Sequence, residues 1–264
     1  MYTKFQLAKK YIRYYLSASN GKGHGVHSPF VFDFIKFVLN DKKHYPVYDK
    51  AEGCRKQLLK DEHFIDVNDF GAGSSMIKTK KRKINDIAAS SLKPKKYSRI
   101  FFRMIQYYHL KKVLELGTSF GISTAYMASA ENKPAVTTME GAPEIAAIAR
   151  QNFSALDLDN IVLVVGNFDD NLPAYLQTTQ PDLIFIDGNH RKGPTLQYFE
   201  QLVASSHNDT ILVFDDIHWS KGMEEAWILI QRHPAVTLSI DLFFIGIVFF
   251  RREFKVKQHF NIRF

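Results

Sequence analysis

Six side chains in the second half of the chain have the types and spacing that acid–base or metal chemistry needs: Glu115, Glu140, Asp187, His190, Asp215 and Asp216. The five acids lie at or near the ends of short apolar runs, Val113–Leu116, Val136–Met139, Leu183–Ile186 and Ile211–Phe214. In an open α/β sheet, ligands sit outside the carboxyl ends of the strands, so acids at such ends are candidates for binding and catalysis. Asp187, Asp215 and Asp216 offer oxygen donors only, which suits Mg²⁺ or another divalent cation such as Ca²⁺. His190, three residues after Asp187, titrates near neutrality and can serve as a general base.

The turn Gly117-Thr118-Ser119-Phe120-Gly121 joins the first of these runs to the apolar stretch from Ile122 to Ala130. Glycines let a ligand approach the backbone, and a helix start presents unpaired N–H groups. Three occupants compete for such a turn. A dinucleotide wants G-x-G-x-x-G, and the spacing here is G-x-x-x-G, without the middle glycine. A serine hydrolase is the second reading. The turn is literally G-x-S-x-G around Ser119, with Asp187 or Asp215 and then His218 or His233 following in triad order. A nucleophile elbow normally follows several strands, whereas residues 1–110 read as mostly helical. The third occupant is S-adenosylmethionine. Glu115 would meet its amino group and Glu140 its ribose hydroxyls, with Gly166-Asn167-Phe168 against adenine and Asp187 at the fourth strand end.

These residues need a particular scaffold. Strands are expected at 112–116, 135–140, 161–165, 182–187, 210–215, 236–241 and 244–250, with helices near 121–130, 142–154, 170–177, 193–206 and 221–232. Alternating strands and helices argue a doubly wound, mostly parallel sheet covered by helices on both faces. The last two strands are too close in sequence for a crossover helix and must pair antiparallel as a hairpin.

Upstream, helices are expected at 2–17, 30–39, 48–60, 84–92 and 97–109, with Ser28-Pro29 starting the second. In the first, Phe5, Ala8, Ile12 and Tyr15 recur at helical spacing among Lys4, Lys9, Lys10 and Arg13. Such a helix docks on its own domain or lies on a membrane surface. His24 and His27 stand in a glycine-rich loop with no carboxylate nearby to complete a metal site. The acid–glycine turn at 69–74 leads into a basic run at 78–83 instead of an apolar helix, and so is a weak nucleotide site.

Charge divides the chain. Residues 1–110 hold 22 Lys/Arg against 9 Asp/Glu, or +13, and the remainder holds 13 against 18, or −5, giving the net +8. A basic front half suits an acidic partner or simply a solvated surface. A nucleic-acid methyltransferase is therefore one alternative, although no RNA-binding module is recognisable. The single cysteine, Cys54, excludes an intrachain disulfide framework. The aromatic and basic N-terminus does not read as a secretory signal, and the expected location is the cytoplasm, with peripheral membrane contact through residues 2–17 open. A homo-oligomer is also open.

VLELGTSFGISTAYMA, VTTMEG, IVLVVGNF, PDLIFIDGNH and ILVFDDIHW resemble the successive motifs of class I S-adenosylmethionine-dependent methyltransferases, within them the branch of catechol and caffeoyl-CoA O-methyltransferases. The resemblance covers about Tyr97 to Arg251. It implies a Rossmann-like, seven-stranded sheet with an antiparallel last strand in 97–264, preceded by a basic helical region, 1–96, concerned with the substrate. It further implies that Glu115, Gly117, Thr118, Ser119, Gly121, Glu140, Gly141, Gly166, Asn167, Phe168 and Asp187 line the cofactor. The family commonly has an acid at the Asn167 position; an amide accepts through its carbonyl oxygen. The metal-dependent relatives carry Asp, Asp, Asn where this chain has Asp187, Asp215 and Asp216, and a lysine base where it has His190. The implied activity is O-methylation of a small-molecule hydroxyl, the acceptor anionic or aromatic, with a divalent cation as an optional assistant.

Overall fold

The computed structural model describes residues 1–67 and 81–264. The acid–glycine turn at 69–74 and residues 78–80 of the basic run lie outside the described residues. The chain divides into two compact units, Lys42–Thr178 and Met1–Asp41 with Thr179–Phe264.

The Lys42–Thr178 unit contains a short antiparallel pair, β1 (Phe64–Asp66) and β2 (Lys81–Lys83). Its main strands β3 (Lys112–Leu116), β4 (Ala135–Glu140) and β5 (Ile161–Val165) are parallel and adjacent in that order. Glu115 stands opposite Thr138 in the register of β3 on β4. The helix Lys95–Tyr108 leads into β3 and ends on His109 in the left-handed conformation, with φ 52°. Helices Ile122–Ala128, Pro143–Ala155 and Phe168–Leu176 follow the three strands in turn.

The other unit carries β6 (Leu183–Ile186), β7 (Ile211–Asp215), β8 (Leu238–Asp241), β9 (Ile245–Phe249) and β10 (Gln258–Asn261), in the spatial order β10-β8-β9-β7-β6. Every residue of β6 and β7 is buried. Such unbroken apolar runs are what a parallel strand covered on both faces requires. β9 runs antiparallel to both neighbours, β7 and β8. Gly246 on β9 makes room for the Trp227 indole, which a Cβ there would meet at 2.6 Å.

The eight long strands belong to one mostly parallel sheet. All seven expected strands are present, with β8 and β9 paired antiparallel as expected. The sheet has one strand more than the seven foreseen, because β10 adds in parallel outside β8. The expected helix at 30–39 also differs. After Pro29–Asp33 it widens into a π-helix, Phe34–Leu39, closed by the Asn40 N–H donating to the Ile35 carbonyl. Ser28 occupies the N-cap but makes no side-chain cap bond.

The N-terminal helix, Lys4–Ser17, opens with a capping box of Thr3 and Gln6. The stripe Phe5, Ala8, Ile12 and Tyr15 is exposed, so it is not the face that meets the rest of the unit. That contact is made by Tyr2, Lys10, Tyr11 and Tyr14. Tyr2 and Lys10 bind Glu224, the Tyr11 ring meets Phe243 edge-on, and the Tyr14 hydroxyl lies 2.7 and 2.6 Å from the carbonyl oxygens of Asp241 and Ile262. Among the described residues no helix is long and apolar enough to cross a membrane.

Candidate active site

In the Lys42–Thr178 unit the turn after β3 is built by its own neighbours. Gly117 and Gly121 have φ of 106° and 80°, and Ser119 has φ 49°. Gly121 is irreplaceable on two counts. The left-handed backbone disfavours a side chain, and a Cβ would stand 2.3 Å from the Phe153 ring. The Ser119 N–H donates to one Glu140 oxygen at 2.8 Å, and the Ala142 N–H to the other at 3.0 Å. Asn152 donates to the Phe120 carbonyl from the outer side.

Glu115 is wholly buried. Its carboxylate accepts from the hydroxyls of Ser123, Thr124 and Thr138, and the Thr138 hydroxyl also meets that of Thr118 at 2.6 Å. A buried carboxylate in an apolar strand demands such donors. Glu115 therefore ties β3 to β4 and to the helix after the turn.

The eleven residues expected around the cofactor thus sort into groups. Gly117, Ser119, Gly166 and Phe168 are part-exposed and Asn167 is exposed, whereas Glu115, Thr118, Gly121, Glu140 and Gly141 are buried behind them. Asn167 caps the helix Phe168–Leu176 by accepting from the Asp169 N–H at 3.2 Å. Asp187 belongs to the other unit. Ser119 shares a 2.7 Å hydrogen bond with Ser91. The histidines of the hydrolase reading are engaged in their own unit: His218 with Glu224 and Asp241, and His233 with the Ala235 N–H. A cleft of about 320 Å³, lined in part by Val47, Lys50, Lys133 and Asp157, lies at the opposite, amino ends of β3–β5.

In the unit of Met1–Asp41 and Thr179–Phe264, potential ligand atoms of Asp187, His190 and Asp215 all lie within 4.8 Å of one another. The His190 Nε2 is 3.5 Å from the Asp187 carboxylate, and its side chain is 28% exposed. Burial pulls the imidazole pKa down. The hydrogen bond to Asp187 and the charges of Asp215, Asp187 and Asp216 outweigh it, so the net pKa is raised above 6.5.

Asp216, expected as a metal ligand with Asp187 and Asp215, is outside that cluster. It takes a left-handed φ of 53°, its N–H donates to the Phe244 carbonyl and its own carbonyl accepts from the Trp219 N–H. The next residue after a strand end need not share the side of its predecessor. The converged donors are two carboxylates and an imidazole. That set fits a divalent cation of intermediate softness, such as Mn²⁺ or Zn²⁺, better than the oxygen-only set foreseen.

Sequence reasoning missed Ser123, Thr124 and Thr138 as partners of Glu115, and Phe153 and Asn152 as supports of the turn. The one available signal was a carboxylate inside an apolar run, which must find donors.

A family model described as a methyltransferase domain matches residues 114–217. A catechol O-methyltransferase of Niastella koreensis is 35% identical over 111 residues, covering 40% of this chain and 49% of that protein. The chain thus spans about half the length of that relative. Among solved structures, an SAH-bound methyltransferase of Podospora anserina superimposes with a TM-score of 0.59 at 14% identity, covering 85% of this chain and 97% of that one. An O-methyltransferase from Bacillus cereus in complex with SAH gives 0.55 at 20% identity, with 83% and 97% covered. These two likenesses concern the fold. Residues 114–217 thus match a methyltransferase domain, in a chain with the Rossmann-like methyltransferase fold.

Proposed function

We propose that the protein transfers a methyl group from S-adenosylmethionine to a hydroxyl of a small molecule. The observation that carries this reading is the turn after β3, held open by Gly117 and Gly121 and fastened by Glu140 onto the Ser119 N–H. Gly117, Ser119, Gly166, Asn167 and Phe168 offer the accessible contacts, and Glu115 and Glu140 keep their backbone in place. The likeness to a catechol O-methyltransferase supports a hydroxyl acceptor.

When bound, S-adenosylmethionine supplies a sulfonium methyl that the acceptor oxygen attacks in line, the C–S bond breaking as the C–O bond forms. A phenol with a pKa of about 10 must lose its proton for this at neutral pH. His190 takes it. With Nε2 directed at Asp187, Nδ1 receives the hydroxyl proton, and the carboxylates of Asp187, Asp215 and Asp216 stabilise the imidazolium that results. Residues 1–96 choose the acceptor.

The 4.8 Å convergence favours one second reading, in which Asp187, His190 and Asp215 hold a divalent cation. Such a cation would lower the pKa of a bound hydroxyl in place of the histidine. A metal needs the imidazole neutral, so the two roles of His190 exclude each other. Turnover that survives chelation and is lost in His190→Gln selects the base; loss on chelation with recovery on adding Mn²⁺ or Mg²⁺ selects the metal.

Calorimetric titration with S-adenosylhomocysteine tests the main reading. We expect binding by the wild type and about tenfold or greater weakening in Glu140→Ala, because the turn loses its fastening. No binding by the wild type would overturn the proposal.

A further inference from the structure

The N-terminal helix has two apolar faces, and only one is covered. Tyr2, Leu7, Tyr11 and Tyr14 face their own unit and are part-buried. On the far side Met1, Phe5, Ala8, Ile12 and Tyr15 follow one another at spacings of three and four, Leu16 stands four after Ile12, and all are exposed, Phe5 at 80% and Leu16 at 73%. Large apolar side chains contiguous on a surface mark an interaction site, unlike the scattered ones found on any protein.

Charge decides the partner. The helix holds Lys4, Lys9, Lys10 and Arg13 and no acid. Of these, only Lys10 is paired with an acid among the described residues, at 2.9 Å from Glu224 on the inner side. Arg263 adds a further cation over the Tyr15 ring, 5.0 Å from its centre. A second copy would bring the same uncompensated cations against these, so self-association through this face is electrostatically opposed. An anionic surface is complementary. A 14-residue helix is about 21 Å long, too short to span a bilayer but suited to lying in its interface.

We infer that the exposed face of the helix Lys4–Ser17 docks the protein on an anionic phospholipid bilayer. Phe5, Ile12 and Leu16 enter the acyl boundary, while Lys4, Lys9 and Arg13 meet the headgroup phosphates. The helix acts as a fixed foot and not a loose tether. Tyr2 and Lys10 clamp it to Glu224, and the Tyr2 N–H donates to the Trp219 carbonyl.

Flotation with vesicles of phosphatidylcholine and phosphatidylglycerol, against phosphatidylcholine alone, tests this on the full chain. The wild type should float with the anionic vesicles only, and less at high salt. The triple variant Lys4→Ala, Lys9→Ala, Arg13→Ala should bind about a hundredfold more weakly, since each basic residue contributes several-fold. Phe5→Gln, Ile12→Gln, Leu16→Gln together should abolish flotation while leaving thermal unfolding unchanged, because these positions are exposed and glutamine suits a helix. Three outcomes overturn the inference: no flotation of the wild type, flotation that both variants retain, or a wild-type dimer in light scattering that the glutamine variant dissolves in the absence of any vesicle binding.

Discussion

Glu115 and Asp215 both lie near the carboxyl ends of parallel strands and both are buried, yet they are met by opposite kinds of neighbour. Glu115 accepts from three neutral hydroxyls, which fix its orientation and add no charge. Asp215 stands in a cluster with Asp187 and the titratable ring of His190. The first arrangement makes a rigid element, because neutral donors hold the carboxylate in one geometry. The second couples acids to a proton or a cation, which is what chemistry needs.

The most damaging way to break the first arrangement is Glu115→Ala. Three charge-assisted hydrogen bonds vanish and a cavity remains, so urea unfolding should show a loss of about 3–5 kcal/mol. Glu115→Gln keeps one acceptor oxygen and should lose less than half of that. Equal losses would mean that the carboxylate charge carries the whole contribution and that side-chain shape adds nothing at this site. Gly121→Ala comes next, at about 2–4 kcal/mol, combining left-handed strain with the overlap on Phe153. Adding Phe153→Leu should recover the steric part and leave the backbone part.

These two examples also mark how far the sequence could be read. The buried strands were legible because Leu183–Ile186 and Ile211–Phe214 are unbroken apolar runs that admit no other environment. β10 was not, since three of its four residues, Gln258, His259 and Asn261, are polar and it is specified by its pairing with β8. The glycine turn and the order of acids after it could be read off the chain. The hydroxyls that engage Glu115 could not, because Ser123, Thr124 and Thr138 are brought together only by the strand register and the helix after the turn. On the N-terminal helix, Phe5, Ala8, Ile12 and Tyr15 made the clearer apolar stripe. The face that packs on its own unit instead uses tyrosines and a lysine whose polar heads find partners, a pattern that hydrophobic periodicity does not score.

The second arrangement is sharpened through pH. As the base, His190 must be neutral to act, so turnover should rise with pH through a limb above 6.5, in keeping with the raised pKa. Asp187→Asn removes one charge and leaves only a neutral acceptor while burial remains, so the limb should move to lower pH. His190→Ala should lower kcat by about a hundredfold, the low end of what a general base supplies. A limb that stays in place in Asp187→Asn would separate His190 from the chemistry.

The smallest effect tests whether an imidazole between acids is always a device for chemistry. His218, in the same unit as His190, has Nδ1 3.1 Å from Glu224 and Nε2 2.9 Å from Asp241. Burial lowers its pKa, but the hydrogen bonds and charges of these two acids prevail and raise it. Lys10 and the Tyr2 hydroxyl also face Glu224, and the Trp227 N–H faces Asp241, so every acid here has a second partner. A pKa raised on folding means that the folded state holds the proton more tightly. The stability from His218 is therefore full below the unfolded value of about 6.5 and fades as pH rises through the folded value. His218→Gln should flatten that part of the stability curve and leave the pH limb of turnover unmoved. If the limb moved with it, the Glu224–His218–Asp241 chain would be coupled to His190, and the line between the structural imidazole and the working one would have to be redrawn.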